Sequence, residues 1–322
     1  MLYDDLDALL QETYALWDPG WVTFNWRAYT YDHVQRVVGL SCTLCRGSGG
    51  DEQVTHLAAL LHDITKPFDG EYLTDEQGKR LVDARGYWQN ALRRPVRGNQ
   101  VSAMYERLGL AGQLHNASGS VVAGELLRER GIDSAVIEAV ALAIRNHLRP
   151  PEDADLPSRC LYDADTIDAN IGLPAFVRNI YINAHFYDQR RDEAAPSLAS
   201  VLAQEPLDFM RPYVHEKLPA WVEGKQRDFI PRLFTPLARE IAAQRIERLS
   251  RAVELMRSEL SSFGRNGHRT SLDLILHYLE PRPDPSMAQE TRRLARAWAQ
   301  DQATAPARAL LSDIQAEMRG EF

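Results

Sequence analysis

The chain has 322 residues, 44% of them hydrophobic and 25% charged, and carries a formal net charge of −8. That is enough for one large core, or one core with an appended subdomain. The negative balance argues against bulk DNA or RNA as a partner, no run approaches the roughly 18 apolar residues of a membrane span, and three cysteines are too few for a disulfide framework.

The opening "MLYDDLDALLQETYALW" is acidic and lacks the basic start of a signal peptide, so a cytoplasmic location is expected. Helical periodicity dominates the rest and sustained alternation is scarce, which predicts an all-α protein. "YDHVQRVVGLSCTLC" reads as a helix closed by "RGSGGDE". Its Cys42 and Cys45 have the CxxC spacing but no second pair, and packing explains them better than redox chemistry or zinc. In "VTHLAALLHDI", Leu57, Leu60, Leu61 and Ile64 form a helical stripe. A polar, punctuated stretch over about 67–112 follows, expected as an insertion of loops and short helices.

"LHNASGSVVAGELLRERG" predicts a helix stopped by Gly131. "DSAVIEAVALAIRNH" predicts another, with Asp133 as N-cap and an end before "LRPPEDADLP". "CLYDADTIDANIG" starts a fifth. Beyond Phe176 the chain stays helical, with a long amphipathic pattern in "FTPLAREIAAQRIERLSRAVELMRSEL" and a further helix pair in the last 35 or so residues. The expected organisation is a helical bundle over 1–250, with the insertion at about 67–112, and a helical extension over 251–322.

Several ionisable residues sit where such helices face inward. His33 shares a face with Val37, Leu40 and Leu44, and His147 ends the stripe of Val140 and Ile144. His115 opens a helix, with the small Ser118 and Gly119 a turn later. Asp165 and Asp168 are three apart on one helix, and His62 and Asp63 differ by roughly 100° around theirs, so both can reach a pocket over the edge between them. Burying so many such groups unpaired would cost several kcal/mol, on the order of the desolvation of a polar group each. A shared metal removes that cost, because imidazole nitrogen and carboxylate oxygen are natural ligands. Four His and two Asp are enough for two ions, with Asp63 free to bridge them.

The order His33, His62-Asp63, His115, His147, Asp165 resembles the HD-domain superfamily of metal-dependent phosphohydrolases, whose signature is a His, an adjacent His-Asp pair and a distal Asp on a helical bundle. Members with two metals add two His between the pair and the last Asp, as here. More narrowly, "DHVQRV", "LAALLHDI", "HNASGSVVAGELLRERGI", "AVALAIRNH" and "CLYDADTIDANIGLPAFVR" resemble bacterial HD hydrolases of small nucleotides, some of which cleave nucleoside triphosphates to monophosphate and pyrophosphate. The likeness extends over about residues 25–250. It implies that His33, His62, Asp63 and Asp165 hold one metal, and that His115 and His147, with Asp63 bridging, hold the second. Asp163 is the alternative to Asp165 as distal ligand, and Asp168 is a further acid or substrate contact. Two departures stand out: Thr65 in "HDITK", where many relatives have Gly, and the length of the insertion, which lies next to the site in the chain and is placed to shape specificity or act as a lid.

Lys66, Arg36 and Arg178 are candidate phosphate contacts, against ordinary solvated or ion-paired roles. Lys66, with Asp63 and Asp168, belongs to the candidate catalytic set. His56 reads as packing or as support for Asp63, and His215, His268 and His277 receive no role. The chemistry expected is attack on phosphorus by water activated at divalent metal, whether manganese, magnesium, cobalt, nickel or iron. The expected partner is a small phosphorylated substrate, a nucleotide, with no membrane and no bulk nucleic acid; a homo-oligomer is compatible. Two other readings compete: a diiron oxygenase of a small organic substrate built on the same ligand set, and a regulatory protein that binds a nucleotide or partner without turnover.

Overall fold

The computed structural model describes residues 2–17, 27–77, 79–84, 89–92, 94–190, 192, 194–264, 267–280, 282–298 and 303–320. Residues 78, 85–88 and 93 of the expected insertion lie outside that set. The chain divides into two compact units, Met1–Asp165 and Thr166–Phe322.

The first unit is built on α1 (Leu2–Tyr14), α2 (Arg27–Gly47), α3 (Glu52–Leu61), α4 (Gln100–Arg107), α5 (His115–Glu129), α6 (Ser134–Asn146) and most of α7 (Leu156–Asn170). α3 is its centre. Asp51 caps it by accepting from the Gln53 and Val54 amides, and Leu57, Ala58, Ala59, Leu60 and Leu61 are all buried. This C-terminal half is buried all round and must be surrounded, and α3 packs on α1, α2 and α6. α2 turns one stripe inward, with Tyr29, His33, Val37, Leu40 and Leu44 buried at helical spacing. Asp133 caps α6 as expected, accepting from the Ala135 amide at 2.8 Å. Gly131, at φ +71°, ends the segment after α5 in the left-handed conformation that only glycine adopts freely.

The stretch after Asp63 contains more than loops and a helix. A tight 3-10 turn, Lys66–Asp69, leads into β1 (Glu71–Tyr72), which pairs antiparallel with β2 (Asn90–Ala91). Two-residue strands are too short to leave an alternating pattern in sequence. α4 is held by a capping box between Asn99 and Ser102. Cys42, Cys45 and Cys160 are free; Thr55 Oγ1 donates to Cys45 Sγ at 3.1 Å, and burial pushes the Cys42 thiol up to about 11.

The second unit takes the end of α7 and α8 (Leu173–Arg190), α9 (Leu198–Gln204), α10 (Pro206–Pro212), α11 (Leu218–Phe229), α12 (Pro236–Glu259), α13 (Ser271–Leu279), α14 (Met287–Trp298) and α15 (Ala305–Met318). The long amphipathic pattern is α12 and the terminal helix pair is α14 and α15. Arg245, 1% exposed, lies on the α12 stripe with Ile241, Leu249 and Met256. Its Nε is 3.8 Å from Glu317 Oε2 and its Nη1 is 4.0 Å from Asp168 Oδ1. Among the described residues the fold is all-α apart from the short strand pair and the isolated bridges Thr74–Arg80 and Arg269–Ala303, and no described helix is long and apolar enough to cross a membrane.

Candidate metal centre

In the first unit, α3 and α6 pack together and each ends on a histidine. α3 closes at Leu61 with His62 as C-cap, and α6 closes at Asn146 with His147 as C-cap. The last carbonyls of a helix lack partners within it, and the imidazoles supply one. His62 Nδ1 is 2.7 Å from the Ala59 carbonyl and His147 Nδ1 is 2.6 Å from the Ile144 carbonyl. A ring nitrogen facing a carbonyl carries the proton, so Nε2 keeps the lone pair. His115 is the first residue of α5, and its Nδ1 lies 2.5 Å from Asp69 Oδ2. His33 comes from within α2.

These rings turn Nε2 toward the fully buried Asp63. Asp63 Oδ2 is 3.9 Å from His33 Nε2 and 3.5 Å from His62 Nε2. Asp63 Oδ1 is 3.4 Å from His115 Nε2 and 3.9 Å from His147 Nε2. One carboxylate thus faces one imidazole pair with each oxygen. Asp165 joins the first pair, with Oδ1 3.1 Å from His33 Nε2 and 3.9 Å from His62 Nε2. The Lys66 ammonium contacts Asp63 Oδ2, and the Tyr14 hydroxyl donates to the Asp63 carbonyl at 3.0 Å.

Thr65 fastens the end of α3 to the start of α5. Its hydroxyl lies 2.8 Å from Ser118 Oγ and 3.2 Å from the His115 carbonyl. Gly119 makes room for it, since a Cβ there would come 3.3 Å from Thr65 Oγ1 and 3.4 Å from the His62 carbonyl.

Burial pushes His62 below its ordinary range and His147 down to about 3, so both rings are neutral near pH 7. Burial acts the same way on His115, but the charge and hydrogen bond of Asp69 outweigh it and hold that ring above its ordinary value. Burial alone would raise the two carboxyls. The imidazoles and Lys66 instead hold Asp63 well below the usual range, and the hydrogen bond and charge of His33 do so for Asp165.

The Nε2 atoms of His62, His115 and His147 and Oδ1 of Asp63 are buried with no hydrogen-bond partner among the described residues. Each such atom costs about 1–3 kcal/mol if nothing binds it. His33, His62 and Asp63 form one set of ligand atoms within 4.8 Å of one another, and Asp63, His115 and His147 form another. Donor atoms about 2.1 Å from a shared ion stand roughly 3 to 3.5 Å apart. The donor set, nitrogen and carboxylate oxygen without thiolate, suits divalent cations such as manganese, iron, cobalt or nickel. The residues therefore fit bound divalent metal.

Arg36 is buried with its guanidinium 5.6 Å from the centre of the Tyr29 ring. Asp168 is in the second unit, facing Arg245, and Arg178 is there too, close enough to Lys225 to contribute to lowering that amine to about 8, behind burial. His56 lies against the Tyr3 ring at 4.2 Å between centroids. Asp163 is buried, but the carboxylate meeting His33 and His62 is that of Asp165. Asp69 joins the centre without a sequence signal, because a carboxylate on a 3-10 turn leaves no periodicity. Its sequence neighbourhood, "KPFD", reads only as a turn.

Residues 30–170 match the model of the HD domain. No curated protein matches. Among solved structures, the chain is similar to a predicted HD superfamily hydrolase from an uncultured Thermotogales bacterium, at 22% identity over 68% of this chain and 92% of that one, with a TM-score of 0.37. It is similar to YpgQ of Bacillus subtilis at 15% identity over 82% and 97% of the two chains, TM-score 0.38. A Lactobacillus plantarum protein gives 17% identity over 81% and 100%, TM-score 0.38.

Proposed function

We propose that this chain, which carries an HD domain over residues 30–170, is a metal-dependent phosphohydrolase acting on a small nucleotide. The observation that carries this reading is the division of Asp63: one oxygen toward His33 and His62, the other toward His115 and His147. Asp63, His33, His62 and Asp165 would hold one divalent cation and Asp63, His115 and His147 a second, with Asp69 fixing His115. Divalent cations held there would supply Lewis-acid polarisation of a phosphoryl oxygen and a coordinated water of lowered pKa.

The remaining chemistry belongs to the side chains. His62 and His147 are kept in the ligating tautomer by the carbonyls of their own helix ends, so no reorganisation of the rings is needed when substrate arrives. Lys66 is 21% exposed while its ammonium touches Asp63. It is therefore the basic group at the centre that can also meet a phosphoryl oxygen from the solvent side. The chain's overall negative charge does not oppose an anionic substrate, because attraction is concentrated at the cluster.

The test is metal content of protein purified without chelator, followed by release of phosphate or pyrophosphate from nucleotides with manganese, magnesium, cobalt or nickel. Metal-dependent release that EDTA stops is expected. Bound iron with oxygen consumption and no phosphate release would move the reading to an oxygenase, and inertness with full metal would leave a binding protein.

A further inference from the structure

A cavity of about 700 Å³ opens in the first unit beside the metal-ligand cluster. Its wall includes Asp69, Asn116 and Asn146. Asn116 follows His115 in the chain, Asn146 precedes His147, and Asp69 is bonded to His115. The volume is in the range of roughly 300–1,000 Å³ that holds a small organic ligand, and exceeds the need of a bare phosphate.

The lining is specific in kind. Arg145 and Arg149 bring two guanidinium groups from either side of His147 in the chain. Planar guanidinium donors match phosphate oxygens. Asn90, on β2, and Gln113, just before α5, bring amides that both donate and accept. Asn90 Oδ1 is buried without a hydrogen-bond partner. Asp69 has the same feature: Oδ2 holds His115 while Oδ1 is buried without a partner, on a side chain 7% exposed. An acceptor oxygen in that position matches a hydroxyl or amine donor and repels a phosphate. The cavity wall thus carries two arginines, two unsatisfied acceptor oxygens and amides.

We propose that this cavity receives the nucleoside part of a phosphorylated substrate, with Arg145 and Arg149 along its phosphates and Asp69, Asn90 and Gln113 hydrogen-bonding its sugar and base. Asp69 and Asn90, both from the insertion, then form a specificity wall. This assignment rests on the phosphohydrolase reading for the direction in which the phosphates point.

The experiment uses the full chain loaded with manganese and measures, by calorimetry, binding of an α,β-methylene nucleoside triphosphate and of inorganic triphosphate, which lacks a nucleoside. Wild type should bind the nucleotide analogue at least about tenfold more tightly, a margin of about 1.4 kcal/mol. Asn90→Leu with Gln113→Leu should bring the ratio of the two affinities close to one. Ala117→Phe, which fills the same cavity by volume alone, should do the same. Manganese content and far-UV circular dichroism check that each variant is folded. An unchanged ratio in both folded variants overturns the cavity assignment, even if nucleotides are hydrolysed. A collapsed ratio supports it, and if no phosphate ester or anhydride is then cleaved by wild type, the hydrolase reading fails while the nucleoside site stands.

Discussion

Asp69 Oδ2 holds His115 Nδ1 at 2.5 Å, so the one ring of the cluster that opens its helix is fixed by a side chain from outside it. His62 and His147 need no such help, because each ring bonds a carbonyl of its own helix end. Losing the acid should therefore affect one half of the centre. Asp69→Ala is expected to weaken metal binding on the His115–His147 side about 10- to 100-fold, with the His33–His62–Asp165 side little changed. Calorimetry with manganese should resolve one normal and one weakened event; two unchanged events would show that the contact does not set ligand geometry.

Asp63 faces both imidazole pairs and belongs to both ligand sets found among the described residues. Asp63→Ala should abolish turnover and most metal binding while leaving the helical circular dichroism largely intact, since α3 is held by apolar burial. The same centre should make stability metal-dependent. At a free ion concentration 100 times its Kd, binding adds about 2.7 kcal/mol, which for a unit of this size moves the unfolding midpoint by roughly 5–10 °C. Differential scanning calorimetry with and without manganese should show that shift in wild type and none in Asp63→Ala. A shift that survives the substitution would place the stabilising ion elsewhere.

Much of the centre follows from helical periodicity. His33 continues the stripe of Val37, Leu40 and Leu44, and His147 that of Val140 and Ile144, so an inward position was readable from spacing. Periodicity also misleads: Asp165 and Asp168 share a face only to within about 60°, and that is enough for one to meet His33 and the other Arg245, 77 residues on in the chain. What depends on tertiary approach left no trace. Tyr14 reaches the Asp63 carbonyl across 49 residues, and Asp69 reaches His115 across 46. The β1–β2 ribbon is likewise too short to carry its own pattern.

Thr65 ties the end of α3 to the start of α5. The Thr65→Val variant loses its bonds to Ser118 and to the His115 carbonyl at nearly constant volume. It should destabilise the first unit by about 1–2 kcal/mol. Ser118→Ala removes both the Thr65 contact and the hydroxyl's 3.2 Å reach to the Leu114 carbonyl, and should cost about 1–2 kcal/mol as well. In a double-mutant cycle by urea unfolding, the pair should show a coupling of about 0.5–1.5 kcal/mol. Strict additivity would mean that the two hydroxyls do not interact.

The second unit has its own pH dependence, centred on Glu290. His277 Nε2 lies 2.8 Å from Glu290 Oε2, Arg293 Nη2 lies 3.0 Å from it, and Arg282 Nε lies 3.3 Å from Oε1. Burial would raise the Glu290 carboxyl, but these partners together hold it below its ordinary value. A carboxyl with a lower pKa folded than unfolded releases its proton more readily in the native state. Its contribution to stability is therefore complete above the unfolded value, near 4.5, and is lost as pH falls from there through the folded value. Urea unfolding of the full chain from pH 7 to pH 3 should show this loss in the second unit, and Glu290→Gln should be less stable than wild type at pH 7 with the difference shrinking toward pH 3. A constant difference across that range would mean the carboxylate charge contributes nothing and only the side-chain shape matters.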